Sequence, residues 1–182
     1  MPFELQPHLG GELLSLRPLA PEDFEALYAV ASDPLIWEQH PQRDRYLEVV
    51  FRRFFRDALA SGGALIALDN QSGAVIGSSR FNAYDENARE IEIGWTFLAR
   101  SHWGGTYNSE MKRLMLTHAA RFVDKVLFVV GSNNRRSQRA VEKLGGLQSG
   151  SRHHVDGRED VIFTLELASY LHALPATLQR LA

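Results

Sequence analysis

The chain of 182 residues contains no cysteine. That excludes disulfides, thiolate metal ligands and any route through a cysteine acyl-enzyme. No apolar run approaches the roughly 20 residues that cross a bilayer. The opening MPFELQPHLGG lacks the basic start and apolar stretch of a signal peptide. A cytoplasmic protein with no membrane partner is the expectation. Charge of one sign is also lacking, the formal net value being −2. Nothing draws the whole molecule to nucleic acid, so a basic site has to be local. Several motifs are missing as well. There is no G-x-x-x-x-G-K-[ST], no G-x-G-x-x-G after an early strand and no G-x-S-x-G turn. His153 and His154 are neighbours in a predicted strand and point to opposite faces, so no metal site is expected.

What is present reads as one domain over residues 1–182, large enough to bury roughly 70% of its unfolded surface. Residues 11–19 alternate as a first strand. APEDFEALYAVAS reads as a helix with Pro21 near its first position and acids in its first turn. DPLIWEQHP is turn-rich. Residues 44–63 carry Leu47, Val50, Phe51, Phe54, Phe55 and Leu59 at helical spacing and end in a glycine pair. Three strands follow, ALIALD, AVIGSSRFNAY and REIEIGWTFL. Then come a helix over 107–122, the apolar run KVLFVVG of a strand covered on both faces, a helix in NRRSQRAVEKLGG, and a hairpin turning at Asp156-Gly157. A short helix is expected within 168–182, kinked by Pro175. The order β-α-α-β-β-β-α-β-α-β-β predicts an α/β (α+β) fold with a mixed, mostly antiparallel sheet flanked by helices.

Two strand–loop–helix passages carry the chemistry. In LARSHWGGTYNSEMKRLM, residues 98–115, two glycines stand just before a helix. Unpaired amides and the positive end of the dipole make such a start an anion site. In the second passage KVLFVVG leads through Asn133-Asn134 into a helix bearing Arg135, Arg136, Arg139 and Lys143. Loops from strand ends to helix starts are where open α/β sheets bind ligands. A pyrophosphate with a further phosphate suits the two together.

The stretches EIGWTFLARSHWGGTYNSEMKRLMLTHA and NNRRSQRAVEKLGG resemble the GNAT superfamily of N-acetyltransferases, in particular its ribosomal-protein N-terminal acetyltransferase branch. LLSLRPLAPEDFEAL resembles that branch's opening. The resemblance implies an acetyl-CoA site formed by Phe97, Leu98, Trp103, Gly104, Gly105, Thr106, Tyr107, Asn108, Asn134, Ser137 and Arg139. In it, glycine-loop amides hold the pyrophosphate and the preceding strand pairs with the pantetheine arm. The family's loop pattern falls on Ser101, Gly104 and Thr106, and only Gly104 matches. Arg100 stands one place early, and Thr106 replaces a small residue and restricts φ there. Asn134, Ser137 and Ala140 match the second pattern. Self-association as a homodimer is compatible with the superfamily.

Acetyl transfer needs a neutral amine. At pH 7 an α-amine with pKa near 8 is roughly one-tenth neutral, a lysine amine in only about one molecule in 2,500. Glu90 and Glu92 share one face of their strand, and Glu92, nearer Gly94, is the preferred base. Its plain alternative is an ion pair with Arg80 or Arg89. By family position Ser137 protonates the departing thiolate, with Tyr107 second, and amides near Phe97 and Leu98 polarise the acetyl carbonyl. Ser137 also reads as an ordinary first-turn residue. Trp37 belongs to the core or to an acceptor pocket, and Trp103 packs beside the loop. Met111, Leu114, Met115 and His118 read as core, and Arg52, Arg53 and Arg56 as a solvated face. The expectation is an acetyl-CoA-dependent N-acetyltransferase using a peptide or small-molecule amine. Two alternatives stand beside it: a non-catalytic module binding CoA or an acyl-CoA, and transfer of a longer acyl group near Trp95 and Phe97.

Overall fold

The computed structural model describes residues 2–175. Strands β1 (Leu9–Gly10) and β2 (Leu14–Pro18) open the chain, followed by helices α1 (Phe24–Ala31) and α2 (Glu48–Ala60). Strands β3 (Ala64–Asp69), β4 (Val75–Asp85) and β5 (Glu90–Leu98) come next. Helix α3 (Thr106–Ala119) leads to β6 (Lys125–Gly131), α4 (Arg135–Lys143), β7 (Leu147–His153), β8 (Glu159–Glu166) and α5 (Leu167–Ala173). The strands lie in the order β1-β2-β3-β4-β5-β6-β8-β7. Among the described residues only β5 and β6 run parallel. This is the mixed, mostly antiparallel sheet the sequence predicts.

Each face of the sheet buries its own core. Leu14, Leu16, Leu65, Phe81, Ile91, Ile93, Val126 and Phe163 pack against Met111, Met115 and Leu116 of α3. On the other face Ile66 and Phe97 meet Leu27 of α1 and Phe51, Phe54 and Phe55 of α2. Trp37 belongs to this second core, being 2% exposed, with its Nε1 donating to Ala31 O at 2.7 Å. His118 is buried too, its Nε2 2.7 Å from Glu4 O.

Some local expectations need correction. Strand β1 is too short to leave a periodic signal. A 3-10 turn at Pro21–Asp23 precedes α1, its amide at Ala20 held by Asp23. Strand β6 is not covered on both faces. Val126, Phe128 and Val130 are buried while Lys125, Leu127 and Val129 are half-buried, because α1 and α2 pack over β3 to β5 and leave that part of the second face uncovered. Helix α3 ends at Ala119, three residues early, where Phe122 N turns back to Ala119 O. The C-terminal helix is observed at Leu167–Ala173, before Pro175, and the rest of that expectation lies outside the described residues. Among the described residues no helix is long and apolar enough to cross a membrane.

Lys112 of α3 is buried in the first core. Its Nζ donates to Thr96 Oγ1 at 2.6 Å and to Ser79 Oγ at 3.4 Å, and lies 5.6 Å from the Phe128 ring centroid. Burial holds its pKa down from 10.5 to about 7. Between those values the unfolded chain binds the extra proton, so unfolding free energy rises with pH across that window. The urea midpoint should therefore increase between about pH 7 and pH 9.5, and Lys112→Met should flatten that increase. A wild-type midpoint that stays level or falls would contradict the buried lysine.

Candidate active site

Strand β5 sets the geometry. On β4, Ser78 pairs with Phe97 and Arg80 with Gly94. One residue, Ser79, therefore faces two, Trp95 and Thr96, which is a β-bulge. Trp95 takes up the kink at φ +53, a left-handed value unusual for a bulky residue. On its other side β5 pairs with β6 only through Glu90–Lys125, Ile91–Val126 and Glu92–Leu127. Beyond Glu92 the two strands diverge and leave a wedge between them. Glu92 stands at its apex.

The backbone of Leu98 faces that wedge. Ala99 N–H donates to Ile76 O across the β4 side, so by strand alternation Leu98 turns its own groups to the free edge. Its carbonyl accepts from Trp103 Nε1 at 2.9 Å. Phe97 has the opposite setting: its backbone pairs with β4 and its ring lies in the second core. Of the two residues expected to offer an outward amide, only Leu98 does.

At the mouth of the wedge lies the glycine loop. Gly104 has φ +107 and Gly105 φ +113, and a Cβ on either would meet open space but a strained backbone. Gly105 caps α3 with no side-chain hydrogen bond, so the first-turn amides of Thr106, Tyr107 and Asn108 keep their donor capacity. Thr106 is helical, not left-handed. The paired glycines take the two unusual conformations, so the departure at Thr106 needs no strained threonine. Arg100 donates to Asp33 at 2.5 Å, tying the loop to the connection after α1.

The second passage abuts the first. Asn134 is buried and its Oδ1 accepts from Ser137 N at 3.2 Å, capping α4. Asn134 therefore supports the helix start with its side chain rather than presenting it. Ser137 is half-buried and Arg139 exposed. Arg136 stacks over Trp103 at 4.1 Å and donates to Ile36 O at 2.9 Å, joining both loops. Arg135 donates to Gln138 at 3.0 Å. Tyr107, the second thiolate donor expected, directs its hydroxyl to Asp69 Oδ1 at 2.8 Å. That bond raises the Tyr107 pKa and helps hold Asp69 down to about 2.

Glu92 is half-buried, and burial raises its pKa against the opposing effects of a hydrogen bond with Asn82 and the charges of Arg152 and Arg80. Neither arginine named as its plain alternative forms that ion pair. Arg89 binds Asp124 at 2.7 Å, and the Nε and Nη2 of Arg80 have no hydrogen-bond partner among the described residues. Glu90 instead approaches Lys125 at 3.5 Å. No group of three or more potential metal ligands occurs among the described residues. Sequence reasoning missed Lys112 as part of this region, and it placed Arg80 there only as an ion-pair partner of Glu92, not as a buried cation without one. The signal for Lys112 was its spacing with the buried Leu116 and Ala119. For Arg80 it was the two-residue step to Asn82, opposite Glu92.

The acetyltransferase (GNAT) domain family matches residues 14–146. The fold is shared with a GCN5-related N-acetyltransferase from Brucella melitensis, 20% identical, over 98% of this chain and 85% of that one, with TM-score 0.79. A GNAT-family acetyltransferase from Bacillus anthracis is 17% identical over 89% of this chain and 99% of that one, with TM-score 0.73. RimJ from Mycobacterium smegmatis, solved with CoA-disulfide, is 18% identical over 88% of each chain, with TM-score 0.64. No curated protein matches the sequence. The family match spans well over half the chain, which therefore belongs to the GNAT acetyltransferases.

Proposed function

We propose that the chain moves an acetyl group from acetyl-CoA to a primary amine by direct transfer in a ternary complex. The observation that carries this reading is the wedge between β5 and β6, with a half-buried carboxylate at its apex and uncapped helix amides at its mouth. Amides of Gly104, Gly105, Thr106, Tyr107 and Asn108 would hold the pyrophosphate. Trp103 and the capped start of α4 would wall the binding track, and the exposed Arg139 would reach a further phosphate. The Leu98 amide, on the free edge of β5, would donate to an acyl or pantetheine carbonyl.

Glu92 takes the proton as the amine nitrogen bonds to the thioester carbon. The C–S bond breaks, and the thiolate takes a proton from Ser137, whose oxygen is reprotonated from solvent. Tyr107 is the weaker donor because its hydroxyl is engaged with Asp69. A carboxylate whose pKa burial has raised holds an abstracted proton better than a solvated one. The branch resemblance makes a protein N-terminus one candidate acceptor, a small amine the other. Thr106, the loop's departure from the family pattern, has an ordinary helical backbone, which supports the catalytic reading over a non-catalytic module.

Acetyl-CoA at ~100 times its dissociation constant should stabilise the protein by about 2.7 kcal/mol and raise Tm by roughly 5–10 °C. Desulfo-CoA should do the same and ATP should not. Gly105→Ala should lose most of this shift, because alanine at φ +113 is strained by about 1–3 kcal/mol. No shift in the wild type would favour a module that does not bind CoA.

Glu92→Gln should lower kcat by about 10²–10³, read by thiol release, while leaving the acetyl-CoA thermal shift intact. Unchanged turnover in that variant would remove Glu92 as the base.

A further inference from the structure

Arg80 is 5% exposed. Its Nε and Nη2 are enclosed and lack hydrogen-bond partners among the described residues. The guanidinium carbon lies 4.5 Å from the Trp95 ring centroid and 5.7 Å from that of Phe54. Burying a cation without a counter-ion is costly, and aromatic faces offset only part of the penalty. Nearby charges acting on it come from Asp57 and Glu92, and neither is hydrogen-bonded to it. In the sheet Glu92 lies one diagonal step away, since Arg80 opposes Gly94 and Asn82 opposes Glu92.

A second buried arginine stands beside it. Arg45, 8% exposed, lies 4.7 Å from the same Phe54 ring and uses neutral partners, Gln42 Oε1 at 2.6 Å and His40 Nε2 at 3.2 Å. The positive charge of Arg80 acts on Arg45, and both it and burial hold Arg45 down to about 10. The terminal hairpin adds Arg152, whose field reaches Glu92, and Arg158, whose field reaches Arg45. Its acids act there too: Asp160, 2.7 Å from His154, has a field that reaches Glu92, and Asp156 pairs with Arg158 at 2.7 Å. Around Glu92 the fields of Arg152 and Arg80 are thus opposed by that of Asp160, and the cation left without a bonded counter-ion is Arg80.

We infer that Arg80 is a specificity-determining residue that binds a carboxylate on the acceptor, so that the substrate is a small primary amine that is also a carboxylic acid. This rests on the acetyltransferase reading above. The Nε and Nη2 atoms form the edge of the guanidinium that meets a carboxylate through two parallel hydrogen bonds. Both of those atoms are enclosed and without hydrogen-bond partners among the described residues. The ligand reaches them when the half-buried Trp95 ring gives way, and the same molecule then sets its amine toward Glu92 along the diagonal. A lysine in place of Arg80 keeps the charge and loses the paired geometry.

Two measurements test it. The first follows the Arg80 Nε–H resonance, assigned by its loss in Arg80→Gln, during titration with acetate and separately with inorganic phosphate. A saturable shift with acetate supports the site. No shift with acetate, or a shift with phosphate alone, overturns a carboxylate site. The second compares kcat/KM for matched pairs, glycine with glycinamide and β-alanine with β-alaninamide, alongside spermidine and a peptide N-terminus. The acids should exceed the amides by about tenfold or more, although the less basic amide amine is more readily neutral. Arg80→Gln should bring the ratio near one, and Arg80→Lys should restore part of it. Amides, spermidine or the peptide matching the acids would overturn the proposal. A carboxylate shift without acetyl transfer would overturn the acetyltransferase reading and leave the site. Transfer to acids and amides alike, without that shift, would overturn the site and leave the acetyltransferase.

Discussion

The inserted residue in β5 is the constraint on which the rest of this molecule depends. Had Trp95 and Thr96 not faced the single Ser79, β5 would have continued in register with its neighbours and closed the gap to β6. The bulge bends the strand, so pairing with β6 stops after Glu92. A left-handed tryptophan costs on the order of 1–3 kcal/mol and persists only where its surroundings over-determine it. Here Thr96 is fixed from below by Lys112 at 2.6 Å and from the side by Ser79 at 2.8 Å. The buried lysine acts as a strut, its lost hydration offset by hydroxyls that the bulge itself presents.

From that bend the two halves of the site follow. Past it, β5 carries Leu98 with its backbone toward the wedge and delivers the chain to the glycine loop at the start of α3. That side offers amides and a helix dipole, with little side-chain charge. The other face carries Glu92, Arg80 and the aromatic rings of α2. The tie between the halves is Trp103, which bonds the end of β5 through its nitrogen and supports Arg136 on its face. Arg136 in turn holds the Ile36 carbonyl, so the loop over the second face is braced against the first.

Much of the sheet was legible in the sequence because its strands alternate and its turns carry Gly, Asn and Asp where chirality asks for them. The bulge was not. EIEIGWTFL reads as unbroken alternation of Ile91, Ile93, Trp95 and Phe97, yet the inserted residue reverses the phase. Ile91 and Ile93 join one core while Phe97 joins the other. Period alone carries no mark of a residue that pairs with nothing. The glycine loop was legible from its two adjacent glycines, whereas the roles taken by neighbours were not. Asn134 spends its side chain on a local cap three residues ahead, and Tyr107 binds Asp69, a choice set by a residue far away in sequence. The burial of Arg80 and Lys112 was not legible because patterning assigns long cations to solvent, and tertiary packing overruled that here.

The buried Arg80 also bears on the proton that acetyl transfer must remove. An amine placed near Glu92 feels a carboxylate that favours its ammonium form, and arginines that disfavour it. With Glu92 alone, the amine would bind tightly as a cation and react slowly. Two unit charges about 4 Å apart interact by about 4 kcal/mol at an effective dielectric near 20, so one arginine at that range offsets much of one carboxylate. On the proposed reading, the arginines therefore do two things at once. Arg80 holds the acceptor's acid group, and the positive field around it lowers the amine's affinity for its proton. The same side chains that select an amino acid over a polyamine thereby ease its deprotonation toward Glu92.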